Sequence, residues 1–284
     1  MEALIASYGD SSSDSESSSL PRETKTQSSN LKQELDRLPP PPIHLLNPPN
    51  AFDYFQMGQG NRVRNFEHVE GNYALHVHIP VHIPLLPRKE LAQFLKKISS
   101  HLPALHVVDA DIPLNILCKD DQKLEQIAIG KEFHISLGRT VPIRVHQIDS
   151  ILTMLRQKLQ FQRRYWIDFN KWAVFINDDC TRSFLSMEVI AGGLVEITRQ
   201  IQAVNEIYRL HNLPEFYKDA RPHISLAWAL GDITDSLKRA LEELSRYPSN
   251  GASSYKTSIF TCKFSGIDCK IGKKVYNICK FAEE

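Results

Sequence analysis

The sequence has few cysteines and no long apolar run. Its five cysteines among 284 residues are an odd number without a Cys-x-x-Cys pair, so neither a disulfide framework nor a cysteine zinc site is expected. No apolar stretch reaches the roughly 18–20 residues that span a bilayer, and the N-terminus is acidic and serine-rich where a signal peptide is apolar. These absences predict a protein of a reducing compartment, the cytosol or the nucleus, without a membrane partner.

A strong charge of either sign is lacking too, because the formal net charge is only +1. Residues 1–40 hold an excess of acidic residues, which leaves the remainder mildly basic. A mild positive charge is compatible with binding a short stretch of phosphodiester, rather than with coating a duplex.

The N-terminal segment is of low complexity, with a run of serines broken by acidic residues between residues 11 and 19. Such a segment buries too little apolar area to offset the chain entropy that is lost on folding. Residues 1–60 are therefore predicted to form a disordered Ser/acidic tail that ends in a Pro-rich spacer, stiffest at Leu38–Pro42. A hydrophobic fraction of 42% is enough for a core, and residues 61–284 are predicted to form one domain, with two lobes that correspond to two similar halves of the chain.

The hydrophobic pattern of residues 61–284 switches repeatedly between strand and helix periodicity. Strands are predicted at residues 73–80, 132–138, 165–176, 183–190 and 223–229, with two or three short strands between residues 255 and 279. Helices are predicted from Pro87 to residue 102 and at residues 148–159, 194–210 and 233–245. The order repeats in two similar halves, so the predicted class is α+β with two related lobes.

The same tripeptide occurs once in each half. The first motif is His134-Ile135-Ser136 and the second motif is His223-Ile224-Ser225. Because residues i and i+2 of a strand share a face, each motif presents an imidazole and a hydroxyl on the face opposite to its isoleucine. If the two strands lie side by side, these four groups face one another across a cleft.

Two imidazoles and two hydroxyls suit the cleavage of RNA by its own 2′-hydroxyl. One histidine, with a pKa near ~6.5, takes the hydroxyl proton, and the other protonates the leaving 5′-oxygen. The serines donate hydrogen bonds to the non-bridging phosphate oxygens. This chemistry predicts no metal and no cofactor, with a 2′,3′-cyclic phosphate as the first product. Which histidine is the base, and whether water then opens the cyclic phosphate, stays open.

Three further groups of residues each allow two interpretations. His76, His78 and His82 lie close together, but no acidic or cysteine partner has a spacing that suits zinc, so a structural or cleft-edge role is favoured. Arg139 either reaches a phosphate or is solvated. The C-terminal lysines form a solvated face or steer an RNA backbone; they are Lys256, Lys263, Lys270, Lys273, Lys274 and Lys280.

Six stretches around and between the motifs carry a family resemblance: Arg62–His68, Gly71–Val77, Phe133–Leu137, Phe184–Val189, Phe216–Asp219 and Pro222–Trp228. Together they resemble the 2H phosphoesterase superfamily and, within it, the U6 small nuclear RNA 3′-end phosphodiesterase family. The resemblance covers about residues 60–280. Tyr73, where close relatives tend to carry Trp, and a long segment at residues 109–128 depart from that family.

The resemblance implies a LigT-like α+β fold with two pseudo-symmetric lobes of antiparallel sheet, helices on the outside and an active-site cleft between the lobes. It implies a metal-independent 3′–5′ exoribonuclease of the nucleus, acting as a monomer on the single-stranded oligo(U) 3′ end of U6 small nuclear RNA. It makes His134 and His223 the general acid and base. It makes Ser136 and Ser225 the phosphate-binding residues and Tyr217 the residue that stacks on a nucleobase.

Two alternatives remain. The first is another activity of the same superfamily, such as hydrolysis of 2′,3′-cyclic nucleotides or of 2′–5′ bonds, which predicts a preference for those substrates. The second is a catalytically silent RNA-binding module of the same fold. The intact histidines and serines of both motifs argue against the silent module.

Overall fold

The computed structural model describes residues 69–246 and 258–281. The expected tail and spacer over residues 1–60, the domain boundary at residue 61 and Lys256 lie outside the described residues. No helix within the two described ranges is long and apolar enough to cross a membrane.

Strands and helices alternate along the described chain. The strands are β1 (Asn72–His82), β2 (His106–Val107), β3 (Glu132–Ser136), β4 (Val141–Arg144), β5 (Trp166–Phe169), β6 (Lys171–Ile176), β7 (Arg182–Glu188), β8 (His223–Leu230), β9 (Phe260–Lys263), β10 (Gly266–Ile271) and β11 (Lys274–Lys280). The helices are α1 (Leu85–His101), α2 (Leu114–Leu117), α3 (Asp121–Leu124), α4 (Ile148–Leu159), α5 (Leu194–Leu210) and α6 (Thr234–Arg246). A π-helical turn at Glu125–Ile129 continues α3.

The first sheet is antiparallel and contains the first motif. Its strand order is β11-β10-β1-β3, and β4 pairs with the beginning of β1. Along β1, the buried Leu75, Val77 and Ile79 alternate with the histidines at positions 76 and 78. One face of the sheet therefore packs into the hydrophobic core, and the other face presents polar side chains.

The second sheet has the strand order β2-β8-β7-β6 and contains the second motif, while β5 and β9 form a separate two-stranded sheet. These sheets do not follow the two halves of the chain. β2, from the first half, pairs with β8, and the C-terminal strands β10 and β11 extend the sheet of β1. Each sheet is thus completed by hydrogen bonds to a strand from the other half of the chain.

The helices bury one face each against the sheets or against one another. In α5, the fully buried Ile197, Val204 and Ile207 recur at helical spacing, and this helix packs against α4, which in turn contacts β11. α1 begins at Leu85, two residues before the expected Pro87. Proline is tolerated there because the N–H groups of the first turn have no partner within the helix.

The α+β class is confirmed, and each predicted strand and helix within the described residues has a counterpart. The strand predicted at residues 165–176 is wrong in one respect, because it is two strands separated by Asn170. The Asn170 amide donates to the Glu188 carbonyl at 3.1 Å, so β6 continues along β7 while β5 pairs with β9. β4 was not predicted; it is short and contains Pro142, which weakens a strand pattern.

Candidate active site

The two motifs lie on neighbouring strands of different sheets. β3 presents His134 and Ser136 on the face opposite to the fully buried Ile135, and β8 presents the second motif in the same way. β3 packs against β8, and a charge on His223 lowers the pKa of His134, so the two imidazoles lie within electrostatic range. The structure thus brings together the four side chains that the sequence predicted to share a cleft.

Histidines of β1 surround the first motif. The strand register places His78 opposite Ser136, and His76 Nε2 lies 2.9 Å from Ser136 Oγ. The His76 and His78 rings stack with 4.8 Å between centroids, and the His134 ring meets them edge-on at 5.0 and 5.5 Å. Both β1 histidines therefore lie against the side chains of the first motif.

Burial and crowding favour the neutral forms of these imidazoles. Burial lowers the pKa of His134 to about 4, and the neighbouring His78 adds to that shift. Burial is also the largest cause of the lowered pKa values of His76 and His78. Because one proton repels the next, the cluster around the first motif resists taking up more than one.

The second motif has different neighbours. Ser186 of β7 lies opposite Ser225, with 3.0 Å between their hydroxyl oxygens. His223 Nδ1 lies 2.7 Å from the Arg221 carbonyl oxygen. A carbonyl only accepts, so Nδ1 carries the proton and Nε2 is left for chemistry. The Phe175 ring stacks on His223 with 3.7 Å between centroids.

A partly buried ion pair lies next to His223. Glu188, opposite His223 in the strand register, accepts hydrogen bonds from Arg221 Nε at 2.6 Å and Nη2 at 2.7 Å. The Arg221 guanidinium also lies 4.4 Å from the centroid of Phe175. Arg221 holds the pKa of Glu188 below its usual value. Burial lowers the pKa of His223, while the Arg221 carbonyl and the Glu188 carboxylate oppose that shift.

Tyr217 is held beside the end of β3. Its side chain is half exposed, and the Arg139 guanidinium lies 4.0 Å from its ring centroid. Arg139 Nη1 donates to Asp178 Oδ2 at 2.9 Å, and Tyr208 Oη donates to the Arg139 carbonyl at 3.1 Å. A Cβ at Gly138 would lie 2.8 Å from Tyr208 Oη, so this close approach requires glycine. Arg139 is thus bound to protein groups rather than simply solvated.

The long segment at residues 109–128 borders the first motif. The Val108 amide donates to the Leu226 carbonyl at 3.2 Å, which ties the start of this segment to β8. Lys131 Nζ and Asp109 Oδ2 lie 3.8 Å apart. Asp109 raises the pKa of His134 and Lys131 lowers it, so the start of the segment and the residue just before β3 place opposite charges near that imidazole.

The three β1 histidines do not stay together in space. His82 lies 3.7 Å from the Glu132 carboxylate, away from the stacked pair at positions 76 and 78. Across residues 69–246 and 258–281, no group of three or more His, Cys, Asp or Glu side chains is arranged to hold a metal ion.

Sequence reasoning missed the residues that support the motifs: Phe175, Ser186, Glu188 and Arg221. One signal was present, because Glu188 is a carboxylate that directly follows Met187 at the end of a largely buried strand, and a buried carboxylate needs a partner. The pairing of Glu188 with Arg221 depends on the register of β7 and β8, which no local pattern encodes.

The chain belongs to the HVSL family of uncharacterised conserved proteins, whose family model matches residues 39–279. It is similar to U6 snRNA phosphodiesterase 1 of Danio rerio, with 35% identity over 184 residues. That match covers 64% of this chain and spans 57% of the length of the relative. U6 snRNA phosphodiesterase 1 of Xenopus laevis is 29% identical over 218 residues, which cover 76% of this chain and 77% of the relative.

A solved structure, that of Kluyveromyces marxianus Usb1, aligns with a TM-score of 0.47 and 12% identity, covering 72% of this chain and 97% of that chain. The sequence relatives confirm the resemblance to U6 small nuclear RNA phosphodiesterases that the six stretches indicated.

Proposed function

We propose that this chain is a metal-independent 3′–5′ RNA exonuclease that trims the oligo(U) 3′ end of U6 small nuclear RNA. The observation that carries the proposal is that the two motifs lie on strands that pack against each other, each with its imidazole and hydroxyl on the face opposite to its buried isoleucine. The names of the relatives supply the substrate class. The nucleus is the compartment that this substrate implies, and the chain acts as a monomer.

Cleavage requires one proton acceptor and one proton donor. One imidazole of the His134 and His223 pair takes the proton of the penultimate 2′-hydroxyl, and O2′ attacks the phosphorus. The bond from phosphorus to O5′ breaks, and the other imidazole gives its proton to O5′. The terminal nucleoside leaves with a 5′-hydroxyl, and the RNA keeps a 2′,3′-cyclic phosphate. With water as the nucleophile the two roles reverse, and the cyclic phosphate opens.

The reactive form holds a single proton on the histidine pair. Each charged imidazole disfavours a second charge nearby, since His223 lowers the pKa of His134, and so the pair titrates as a unit. Partial burial limits the contact of both rings with water, which strengthens each charge interaction during the reaction.

The serines stabilise the charge that develops on the phosphate. Ser136 and Ser225 donate to the non-bridging oxygens. Each hydroxyl has a polar neighbour from the adjacent strand, His76 Nε2 at 2.9 Å or Ser186 Oγ at 3.0 Å. When that neighbour donates, the serine oxygen accepts and its own proton is free to point at the phosphate.

Tyr217 supplies the contact to the terminal base. Its ring is half exposed, and a base stacked on it gains roughly 1–3 kcal/mol. The Arg139 guanidinium, itself bound to Asp178, packs on the ring and holds it in place.

The test is to incubate an RNA that ends in oligo(U) with the protein in EDTA and to measure the mass of each shortened product. We expect uridines to be lost one at a time from the 3′ end, leaving a cyclic or an opened 3′ phosphate. The double variant His134→Ala/His223→Ala is the control for contaminating nucleases. Preference for 2′,3′-cyclic nucleotides, or activity that is lost in EDTA and restored by zinc, would overturn the proposal.

A further inference from the structure

We propose that Lys270, next to His76, forms a binding site for the phosphodiester one step to the 5′ side of the cleaved bond. This inference rests on the proposed function, because it gives the same RNA strand a second contact. The ligand is a backbone phosphate, and the site is independent of the base sequence.

The strand register places Lys270 on the face that carries the active site. β10 pairs with β1 on the side away from β3, and Lys270 lies directly opposite His76. Side chains opposite each other on neighbouring strands share a face. The flanking Cys269 and Ile271 are buried on the core side, so Lys270 projects from the same face as the histidines.

The site continues outward from the first motif. Ser136 Oγ lies 2.9 Å from His76 Nε2, and His76 in turn faces Lys270 across one strand pair. β3 and β10 are separated by two strand spacings, or about 9–10 Å. A lysine side chain is long and flexible enough to reach part of that way. A phosphate held at Ser136 therefore leaves the neighbouring phosphate of the same strand within reach of Lys270.

The positive charge of Lys270 acts on the two histidines of β1. Its ammonium lowers the pKa of both His76 and His78, although burial is the larger cause. Among the described residues Lys270 has no hydrogen bond or ion pair. Asp268, on the same face, accepts a hydrogen bond from Asn277 Nδ2 at 2.7 Å. Lys131, the cation near the first motif, is already paired with a carboxylate.

The chemistry of a 3′ end fixes which phosphate the site receives. The terminal nucleoside that leaves carries a free 3′-hydroxyl and no further phosphate. Every other phosphate of the substrate lies on the 5′ side of the cleaved bond. A cation one step from the scissile phosphate therefore contacts the next linkage upstream.

The experiment measures binding of a uridine trinucleotide whose first and middle residues are 2′-deoxy, so that neither linkage has the 2′-hydroxyl that cleavage requires. A second trinucleotide carries an uncharged methylphosphonate at its first linkage. We expect wild-type protein to bind the uncharged version about tenfold more weakly, and Lys270→Met to bind both versions equally.

Lys274→Met is the matched control. Lys274 lies opposite the buried Ile271, on the other face, with its ammonium 5.4 Å from the Tyr276 centroid. That control should behave as wild type.

Two outcomes overturn the inference: a wild-type protein that binds both trinucleotides equally, or a Lys270→Met variant that keeps the tenfold difference. Cleavage of the all-ribose trinucleotide by wild-type protein is measured alongside. Absence of cleavage would refute the proposed function, and the binding comparison would still decide the phosphate site. The thermal unfolding midpoint of Lys270→Met confirms that the variant is folded.

Discussion

The substitution Glu188→Gln tests whether the ion pair next to His223 supports both the fold and the site. The carboxylate accepts two hydrogen bonds from Arg221, at 2.6 and 2.7 Å. The Glu188 side chain is 7% exposed and that of Arg221 is 38% exposed. Glutamine keeps the shape but offers one acceptor and no charge, so the guanidinium loses its counter-charge.

The expected loss of stability lies between two limits. Removing one partner of a fully buried ion pair costs about 3–5 kcal/mol, whereas exposed pairs contribute much less. Because Arg221 is partly exposed, we expect the free energy of unfolding at neutral pH to fall by roughly 2–3 kcal/mol.

The same substitution predicts a pH dependence with a definite sign. Arg221 lowers the folded pKa of Glu188, so the stabilisation is fully present above the unfolded carboxyl pKa of ~4.3. It is lost as the pH falls through the lower folded value. Wild type and variant should therefore differ at pH 7 and converge in acid. Glu188 also opposes the lowered pKa of His223, so the limb of the kcat/KM profile that His223 sets should move to lower pH in the variant.

Urea unfolding at several pH values measures the loss of stability, and a pH profile of kcat/KM measures the shift in activity. Glu215→Gln is the matched control, because Glu215 also accepts two hydrogen bonds from one arginine, Arg209, at 2.9 and 3.0 Å. That pair is exposed on the surface, and its loss should leave stability and activity unchanged. Equal effects of the two substitutions, or an unchanged pH profile in Glu188→Gln, would refute the reasoning.

Three further predictions concern the site itself. His134→Ala and His223→Ala should each lower kcat by about 10²–10⁴-fold with RNA binding retained, and an unchanged single-turnover rate would contradict the two-histidine mechanism. Tyr217→Ala should weaken binding of an RNA 3′ end by about 1–3 kcal/mol while Tyr217→Phe keeps it, and equal dissociation constants would rule out stacking. Gly138→Ala places a Cβ 2.8 Å from Tyr208 Oη and should lower the free energy of unfolding by about 1–3 kcal/mol. Adding Tyr208→Phe to Gly138→Ala should recover part of the lost free energy of unfolding. If urea unfolding shows no loss of stability in Gly138→Ala, the predicted clash is contradicted.

The faces of the two motifs were predictable because they depend on a local rule. Alternation along a strand places Ile135 and Ile224 in the core and the polar groups of each motif on the opposite face. Helical spacing likewise identified α5 over residues 194–210, the same bounds that the structure has. In both cases neighbouring residues carry the information, so a single sequence suffices.

The residues that contact each motif from neighbouring strands were not predictable, because these contacts depend on the register between strands that are distant in the sequence. Glu188 meets His223 only because β7 pairs with β8, and Lys270 meets His76 only because the end of the chain returns to β1. β2 has two residues, too few for a periodic pattern, yet it joins the second sheet. A register can be set by a bulge such as the one between Leu185 and Ser186, which no local pattern marks.

The two motifs are identical in sequence and equivalent in strand position, yet the structure gives them unlike surroundings. His134 lies among other imidazoles, whose protonation disfavours its own. His223 donates from Nδ1 to a carbonyl and has a carboxylate next to it, and both interactions favour the charged ring. We therefore expect a proton shared by the two rings to reside on His223 rather than on His134. A reaction that needs one donor and one acceptor can be served by two copies of one motif, provided that the neighbours of each copy differ.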